Sequence, residues 1–309
     1  MNQSFSRRHF LKSSLGTGVA LSALGVAGTA PAAIEPFKRA GAPHLKISMC
    51  AYSLRDYFGD KHGLDKKIDM FRFIDYCAEQ GCDGAELTSY YFPKQGFTDE
   101  WRANFRRYMH THGIAVSGAS VGNDFTVDDA KMIEEISKVK SWTDRAAFLG
   151  APYLRVFAGM SKNDDPAVAT KRCIAALKEC CEYAGKKGVM LGLENHHGIV
   201  STSEQIINIV QSVDSPWLGI NCDTANFQTE DPYVDLAKIA PYAINVHFKG
   251  EIHPKGREKE KVPADLPRLV KILREANYHG YLALEYESAE DPWTGIPKLI
   301  NELKALVRG

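Results

Sequence analysis

The chain has 309 residues, of which 44% are hydrophobic and 25% are charged, and its 38 basic residues balance its 38 acidic residues. This length suits one large α/β domain or two ordinary domains, and the apolar fraction excludes a mainly disordered chain. The lack of net positive charge argues against a nucleic-acid partner, because such proteins usually present a basic surface. Seven cysteines are too few for a disulfide scaffold.

The N-terminal segment has the features of an export signal. Arg7 and Arg8 are followed by Phe-Leu-Lys, which resembles the twin-arginine motif, and a weakly hydrophobic run rich in Gly, Ala and Leu comes next. An Ala-Pro-Ala sequence ending at Ala32 has the small-x-small form of a signal-peptidase site. We therefore expect residues 1–32 to be a twin-arginine signal peptide recognised by the twin-arginine translocase, and the protein to be periplasmic.

A short membrane anchor is the alternative for this segment, which would leave the protein anchored by its signal. The run is short and Gly-rich for a span of about 20 residues, so the cleaved signal is the preferred interpretation. The segment holds three basic residues and no acidic one, so the rest of the chain has a net charge of −3. Residues 33–44 are then a short linker.

Eight short apolar runs recur after the linker, each followed by a segment of helical spacing. Their starts lie roughly 25–40 residues apart, the length of one strand–helix unit. Phe71, Ile74 and Ala78 illustrate the spacing that predicts the helices, and Ser201-x-x-Glu204 resembles a capping box. The predicted strands are Leu45–Tyr52, Gly84–Thr88, Ile114–Val121, Tyr153–Ala158, Val189–Glu194, Leu218–Asp223, Ala243–Phe248 and Tyr281–Tyr286.

Eight such units within residues 45–309 predict a single-domain (β/α)8 TIM barrel, a fold of the α/β class whose usual size is about 250 residues. A doubly wound open sheet is the alternative, but it would place a Gly-rich phosphate loop after the first strand. The sequence Ala-Tyr-Ser-Leu-Arg that begins at Ala51 is no such loop. The barrel is therefore the predicted fold.

Ionisable side chains stand at the ends of the last four predicted strands. Alternate residues of a barrel strand point inward, and the carboxyl ends of the strands build the active site. Carboxylates clustered there would repel one another unless they were paired or bound to a metal. The candidate ligands of one divalent ion, either Mn²⁺, Co²⁺, Mg²⁺ or Zn²⁺, are Glu194, Asp223, His247 and Glu285.

An alternative without a metal is that Glu194 and Glu285 are neutralised by Arg155 or Lys249. Other polar and aromatic residues at strand ends are candidates for substrate binding. They are His196, Lys249, Glu86, Arg155, Asn226 and Tyr52. His196 and Lys249 could equally well support the metal ligands instead of binding substrate. Glu86 and Arg155 could equally well pair with each other. His197 is expected to face away from His196.

Four sequence strings carry a resemblance to a known family. They are Gly-Leu-Glu-Asn-His ending at His196, Cys-Asp-Thr-Ala-Asn ending at Asn226, Val-His-Phe-Lys-Gly ending at Gly250 and Leu-Glu-Tyr-Glu ending at Glu287. In this order they resemble the sugar phosphate isomerase/epimerase family with the xylose-isomerase-like TIM barrel, in particular its tagatose-epimerase and inosose-dehydratase branches. The resemblance covers the chain from Leu45 to about Leu306.

The resemblance implies that the four candidate ligands bind one metal ion and that Glu194 and Glu285 are its two catalytic carboxylates. Many members have a His where this chain has Asn226. A site with several metals, like that of the DNA-repair endonucleases of this superfamily, is therefore not expected.

The expected activity is metal-dependent isomerisation or epimerisation of a keto sugar or a related polyol. A metal that binds the carbonyl acidifies the adjacent C–H and stabilises an enediolate, while one carboxylate removes the proton and another returns it. No phosphate cradle follows the last two strands, so the expected partner is an unphosphorylated sugar or a glycoside. The alternatives are an exported keto-glycoside lyase or hydratase with the same metal site and a periplasmic sugar-binding protein without turnover. A homo-oligomer is left open.

Overall fold

The strands of the chain close into a parallel barrel in the computed structural model, which describes residues 34–160, 165–253, 255–256 and 260–308. In chain order they are β1 (Leu45–Cys50), β2 (Gly84–Thr88), β3 (Ala115–Ser120), β4 (Tyr153–Val156), β5 (Met190–Glu194), β6 (Leu218–Asp223), β7 (Ala243–Phe248), the short β8 (Glu251–Ile252) and β9 (Val262–Pro263), and β10 (Gly280–Leu284). The closed order is β1-β10-β7-β6-β5-β4-β3-β2, and β8 pairs with β9 in a separate antiparallel sheet.

The helices alternate with the barrel strands and complete the (β/α)8 pattern. They are α1 (Arg55–Phe58), α2 (Met70–Glu79), α3 (Asp99–Thr111), α4 (Asp129–Leu149), α5 (Pro166–Lys186), α6 (Ser203–Val213), α7 (Pro232–Ile239), α8 (Leu266–Glu275) and α9 (Pro292–Arg308). The predicted TIM barrel is confirmed. The predicted signal peptide lies outside the described residues.

Asp and Thr side chains start the helices by accepting a hydrogen bond from a backbone N–H of the first turn. They include Asp69, Thr98, Asp128, Asp165, Thr202, Asp231 and Asp265. The capping box of α6 lies one residue later than predicted, because Thr202 and Gln205 form it. Ser201 instead donates to the carbonyl of Gly198, and Glu204 pairs with Lys238.

Residues 34–44, predicted as a linker, contain no helix or strand. They are nevertheless held to the barrel, because Phe37 N donates a 3.1 Å hydrogen bond to the carbonyl of Pro241. The guanidinium of Arg39 also lies 5.5 Å from the ring centroid of Tyr278. In the part of the chain that the structure describes, no helix is long and apolar enough to cross a membrane.

Alternation along the strands separates an apolar core from a polar barrel interior. Leu191 and Leu193 of β5 and Ile220 of β6 are fully buried in the apolar core, which also contains residues of the helices. The alternate residues of each strand face the inside of the barrel. At the carboxyl ends of β5 and β6 these inward-facing residues are Glu194 and Asp223. The alternation thus brings charged groups into the barrel at one end.

One irregularity of register and one glycine shape that interior. The pairing of β2 with β3 shifts between Ala85 and Glu86, so that Glu86 lies opposite Gly118. A Cβ at Gly118 would lie 2.1 Å from the ring of Tyr153, so only glycine leaves room for this ring inside the barrel. In return the Tyr153 hydroxyl donates a 2.5 Å hydrogen bond to Glu86 Oε2.

Replacing Gly118 with Ala is expected to lower the free energy of unfolding by about 1–3 kcal/mol, because the new methyl group overlaps a ring whose hydroxyl end is fixed. Urea denaturation measures the difference. Gly59→Ala is the control, since a Cβ there would meet no heavy atom within 4 Å, and it is expected to leave stability unchanged or slightly higher. Equal losses in the two variants would contradict the steric explanation.

Candidate active site

The carboxyl ends of the barrel strands surround a cavity of about 500 Å³. Seven of the ten predicted site residues line it, namely Tyr52, Arg155, Glu194, His196, Asn226, Lys249 and Glu285. The other three, Glu86, Asp223 and His247, are fully buried below the cavity. The structure therefore brings the ten residues together at one end of the barrel, seven at the cavity wall and three buried beside it.

The four predicted metal ligands lie together around the ring of His247. Its Nδ1 atom lies 3.3 Å from Glu194 Oε2 and 3.6 Å from Glu285 Oε2. Glu194, Asp223 and His247 each offer one ligand atom, and these three atoms lie within 4.8 Å of one another. The cluster contains the oxygen and imidazole ligands that Mn²⁺, Co²⁺, Mg²⁺ or Zn²⁺ accept.

Two buried atoms of this cluster indicate that the residues fit a metal. Asp223 Oδ2 and His247 Nδ1 have no hydrogen-bond partner. Their charged contacts are Lys249 Nζ, 3.0 Å from the former, and Glu194 Oε2, 3.3 Å from the latter. Buried polar atoms are rarely left in this state. Both are atoms through which a carboxylate and an imidazole bind metal ions, so one cation would satisfy both.

Glu86 holds the other side of the His247 ring. Nε2 of His247 lies 2.9 Å from both carboxylate oxygens of Glu86, and Tyr153 and Asn245 also donate to Oε2. A carboxylate in this position orients an imidazole so that its opposite nitrogen faces the metal. Because Glu86 is fully buried and does not line the cavity, its predicted role in substrate binding is replaced by positioning of His247. Arg155 pairs with Glu194 rather than with Glu86.

Glu194 is held by donors on both of its oxygens. Oε2 lies 3.1 Å from Arg155 Nε and accepts a 3.0 Å hydrogen bond from Asn221, while Asn226 donates to Oε1 at 3.3 Å. Burial raises the pKa of Glu194, but Arg155 and His247 outweigh burial and hold this pKa below its ordinary value. Glu194 is therefore an ionised carboxylate that faces the cavity.

Lys249 contacts three carboxylates at the edge of the cluster. Its Nζ lies 3.0 Å from Asp223 Oδ2, 3.1 Å from Glu285 Oε2 and 2.6 Å from Glu287 Oε2. Burial lowers the pKa of Lys249, but these carboxylates raise it well above its ordinary value. The ion pairs weighed above as the alternative to a metal, Arg155 with Glu194 and Lys249 with Glu285, are thus both present beside the unsatisfied atoms of the cluster.

The negative charge of the cluster exceeds what these two cations neutralise. Burial raises the pKa of Asp223 to about 7, and the attraction of Lys249 only partly opposes this rise. Burial lowers the pKa of His247, but Glu86 and Glu285 raise it well above its ordinary value. Asp223 and His247 both retain a proton more strongly than usual, and a divalent cation would supply the same positive charge.

Several residues of the cavity wall were missed as site residues by the sequence analysis. They are His197, Gln228, His253, Lys261 and Glu287. The expectation that His197 faces away from His196 is wrong, since both line the cavity and their ring centroids lie 4.2 Å apart. β5 ends at Glu194, so strand alternation no longer applies two residues later. Gln228 and Lys261 lie outside the strands, where no periodic signal was available.

Comparison with known proteins assigns the chain to a family. The model of the xylose isomerase-like TIM barrel family matches residues 74–306, so this protein belongs to that family and the resemblance found in the sequence is confirmed. It is 27% identical over 157 residues to a protein of Mesomycoplasma hyopneumoniae named "Probable endonuclease 4", a match that spans 46% of this chain and 51% of that protein. The chain therefore spans about half the length of the curated relatives it matches.

Solved structures show the same fold at low sequence identity. A xylose isomerase-like TIM barrel protein from Mycobacterium smegmatis in complex with magnesium has a TM-score of 0.68 and 18% identity, over 85% of this chain and 97% of that chain. A D-psicose 3-epimerase from Clostridium cellulolyticum H10, solved with D-tagatose, has a TM-score of 0.66 and 15% identity over the same shares.

Replacement of Glu86 by Ala is expected to lower the free energy of unfolding by about 3–5 kcal/mol, because it leaves buried donors of three residues without their acceptor. Chemical denaturation of the metal-free protein measures this loss. The control is Glu204→Ala, which removes an exposed ion pair with Lys238 and is expected to leave the free energy of unfolding nearly unchanged. A loss for Glu86→Ala as small as the control would show that Glu86 does not hold the interior.

Proposed function

We propose that this protein is a metal-dependent isomerase or epimerase of a keto sugar or a related polyol. The observation that carries the proposal is the convergence of three carboxylates and one imidazole, with two unsatisfied buried atoms, at the floor of a cavity. The proposed ligands of one Mn²⁺, Co²⁺, Mg²⁺ or Zn²⁺ ion are Glu194, Asp223, His247 and Glu285. Family membership supports this chemistry.

The bound metal would act as a Lewis acid that acidifies the C–H next to a substrate carbonyl. Glu194 and Glu285 both line the cavity. Glu194 ends β5 and Glu285 follows β10, and β6 and β7 lie between these strands in the barrel. This separation supports the proposal that the two carboxylates act on a substrate from different sides. One carboxylate removes the proton and later releases it to solvent, while the other takes a proton from solvent and donates it to the opposite face of the same carbon, which inverts that centre.

The cavity wall suits an unphosphorylated sugar. Its volume of about 500 Å³ lies within the usual range of small-molecule sites. Tyr52, Tyr90 and Phe157 offer aromatic surface for the C–H face of a sugar ring, and Asn226, His196 and Lys249 offer polar groups for its hydroxyls. Lys249 lies beside Glu285, where its ammonium is placed to donate to a substrate oxygen.

The test is proton exchange with solvent. The purified protein is analysed for bound metal, loaded with Mn²⁺ and followed by NMR in D₂O with a panel of keto sugars. C–H exchange is expected in the wild type and is expected to fall by about 10²–10⁴-fold in Glu194→Gln and in Glu285→Gln, the typical loss when a general acid or base is removed. Undiminished exchange in both variants would refute the two assigned bases.

A matched replacement and the product mass complete this experiment. Glu230→Gln makes the same chemical change at an exposed residue paired with Lys255 and is expected to leave exchange unchanged. An epimer or isomer keeps the mass of the substrate, whereas elimination releases water or an aglycone and would identify a lyase or hydratase. Binding of a sugar without any exchange would identify a binding protein.

We also propose that residues 1–32 direct export to the periplasm through the twin-arginine translocase. The adjacent Arg7 and Arg8 before Phe-Leu-Lys support this. Replacing both arginines with Lys is expected to retain the protein in the cytoplasm, as measured by cell fractionation with the unaltered chain as control. Export of the doubly substituted chain at the original level would contradict the proposal, and mass analysis of the exported form locates the cleavage site.

A further inference from the structure

Lys249 is the one cavity lysine whose ion pairs, within the described residues, reach two of the proposed metal ligands. Its ammonium contacts Asp223 Oδ2 at 3.0 Å and Glu285 Oε2 at 3.1 Å. Its third partner, Glu287 Oε2 at 2.6 Å, lies outside the ligand set. The ammonium of Lys249 therefore contacts two proposed metal ligands and one carboxylate that is not a proposed ligand.

The ammonium and a metal ion compete for the same two oxygens. A cation bound by Asp223 Oδ2 and Glu285 Oε2 would lie close to Lys249 Nζ, and two positive charges at short range in a buried site repel strongly. The ammonium can keep its contact with Glu287 when a metal binds, because the Lys249 side chain already reaches that carboxylate. Only the contacts to Asp223 and Glu285 need to be released.

Burial indicates the direction of this movement. The Asp223 side chain is 0% exposed and that of Glu285 is 8% exposed, whereas that of Glu287 is 31% exposed. A shift of the ammonium toward Glu287 therefore moves it from the floor of the barrel toward the cavity and its water. Such a shift reduces the cost of holding a second cation beside the metal.

We propose that Lys249 is a resident cation that holds Asp223 and Glu285 together before metal binds and moves onto Glu287 when the metal arrives. Lys249 thereby weakens metal binding, and Glu287 strengthens it by accepting the displaced ammonium. After the exchange the ammonium lies at the cavity wall. This inference rests on the metal site of the proposed function.

The test is the affinity for Mn²⁺, measured by isothermal titration calorimetry on the metal-free protein without substrate. Lys249→Met keeps an unbranched side chain as far as Cε and removes the ammonium, and it is expected to bind Mn²⁺ at least tenfold more tightly than the wild type. Glu287→Gln is expected to bind Mn²⁺ more weakly, because the ammonium then stays on Asp223 and Glu285. In the double variant the Glu287→Gln change is expected to have little effect, since Glu287 acts through Lys249.

Lys261→Met is the matched control, because Lys261 lines the same cavity and its Nζ donates to the backbone oxygen of Glu287. It is expected to change Mn²⁺ affinity less than threefold. Unchanged or weaker binding by Lys249→Met would overturn the inference, as would an equal effect of Glu287→Gln with and without Lys249. Thermal unfolding of each variant verifies that it is folded, and Glu287→Gln changes a partly exposed side chain that the core does not need.

The outcomes separate this inference from the proposed function. If the wild type binds Mn²⁺ and Lys249→Met gains no affinity, the metal site stands and the role of Lys249 is wrong. If neither the wild type nor any variant binds Mn²⁺, Co²⁺, Mg²⁺ or Zn²⁺, both the metal site and the inference fall.

Discussion

The burial of like charges inside the barrel is the constraint on which the rest of the structure depends. Four carboxylates, those of Glu86, Glu194, Asp223 and Glu285, are each less than a tenth exposed. Carboxylates removed from water repel one another and lose hydration, so each needs a cation or several donors. His247 stands among them and uses one ring nitrogen for Glu86 and the other for the ligand cluster. Its two-sided position sets the geometry of the site.

A chain of amide hydrogen bonds links Glu86 to Glu194 inside the barrel. Asn245 donates to Glu86 and also to Asn221, which in turn donates to Glu194. Tyr153 reaches Glu86 only because Gly118 leaves space for its ring. A buried polar network of this kind is stable only when nearly every member is satisfied. Asp223 Oδ2 and His247 Nδ1 lie beside this network without a hydrogen-bond partner, and they are the two atoms that the proposed metal would satisfy.

The sequence predicted the eight strands and the convergence of their ends, because period-two alternation and the geometry of a parallel barrel decide both. It could not predict that Glu86 holds His247, since that contact joins residues 161 positions apart and depends on barrel closure and on a shift of register at Glu86. It also misplaced His197, because the end of β5 ends the alternation that the prediction assumed. Local patterns thus identify which residues reach the rim, while their partners depend on tertiary distances.

The ladder between β1 and β10 joins the first barrel strand to the last. Glu86 comes from the second strand and Glu285 follows the last, so His247 and the two carboxylates on either side of it join distant parts of the chain. Contacts between residues far apart in the sequence raise the contact order, which slows folding. These contacts form only when the barrel closes. Affinity for the proposed cation would therefore be a property of the finished barrel, and binding of the ion would in turn stabilise the closed ring over any open intermediate.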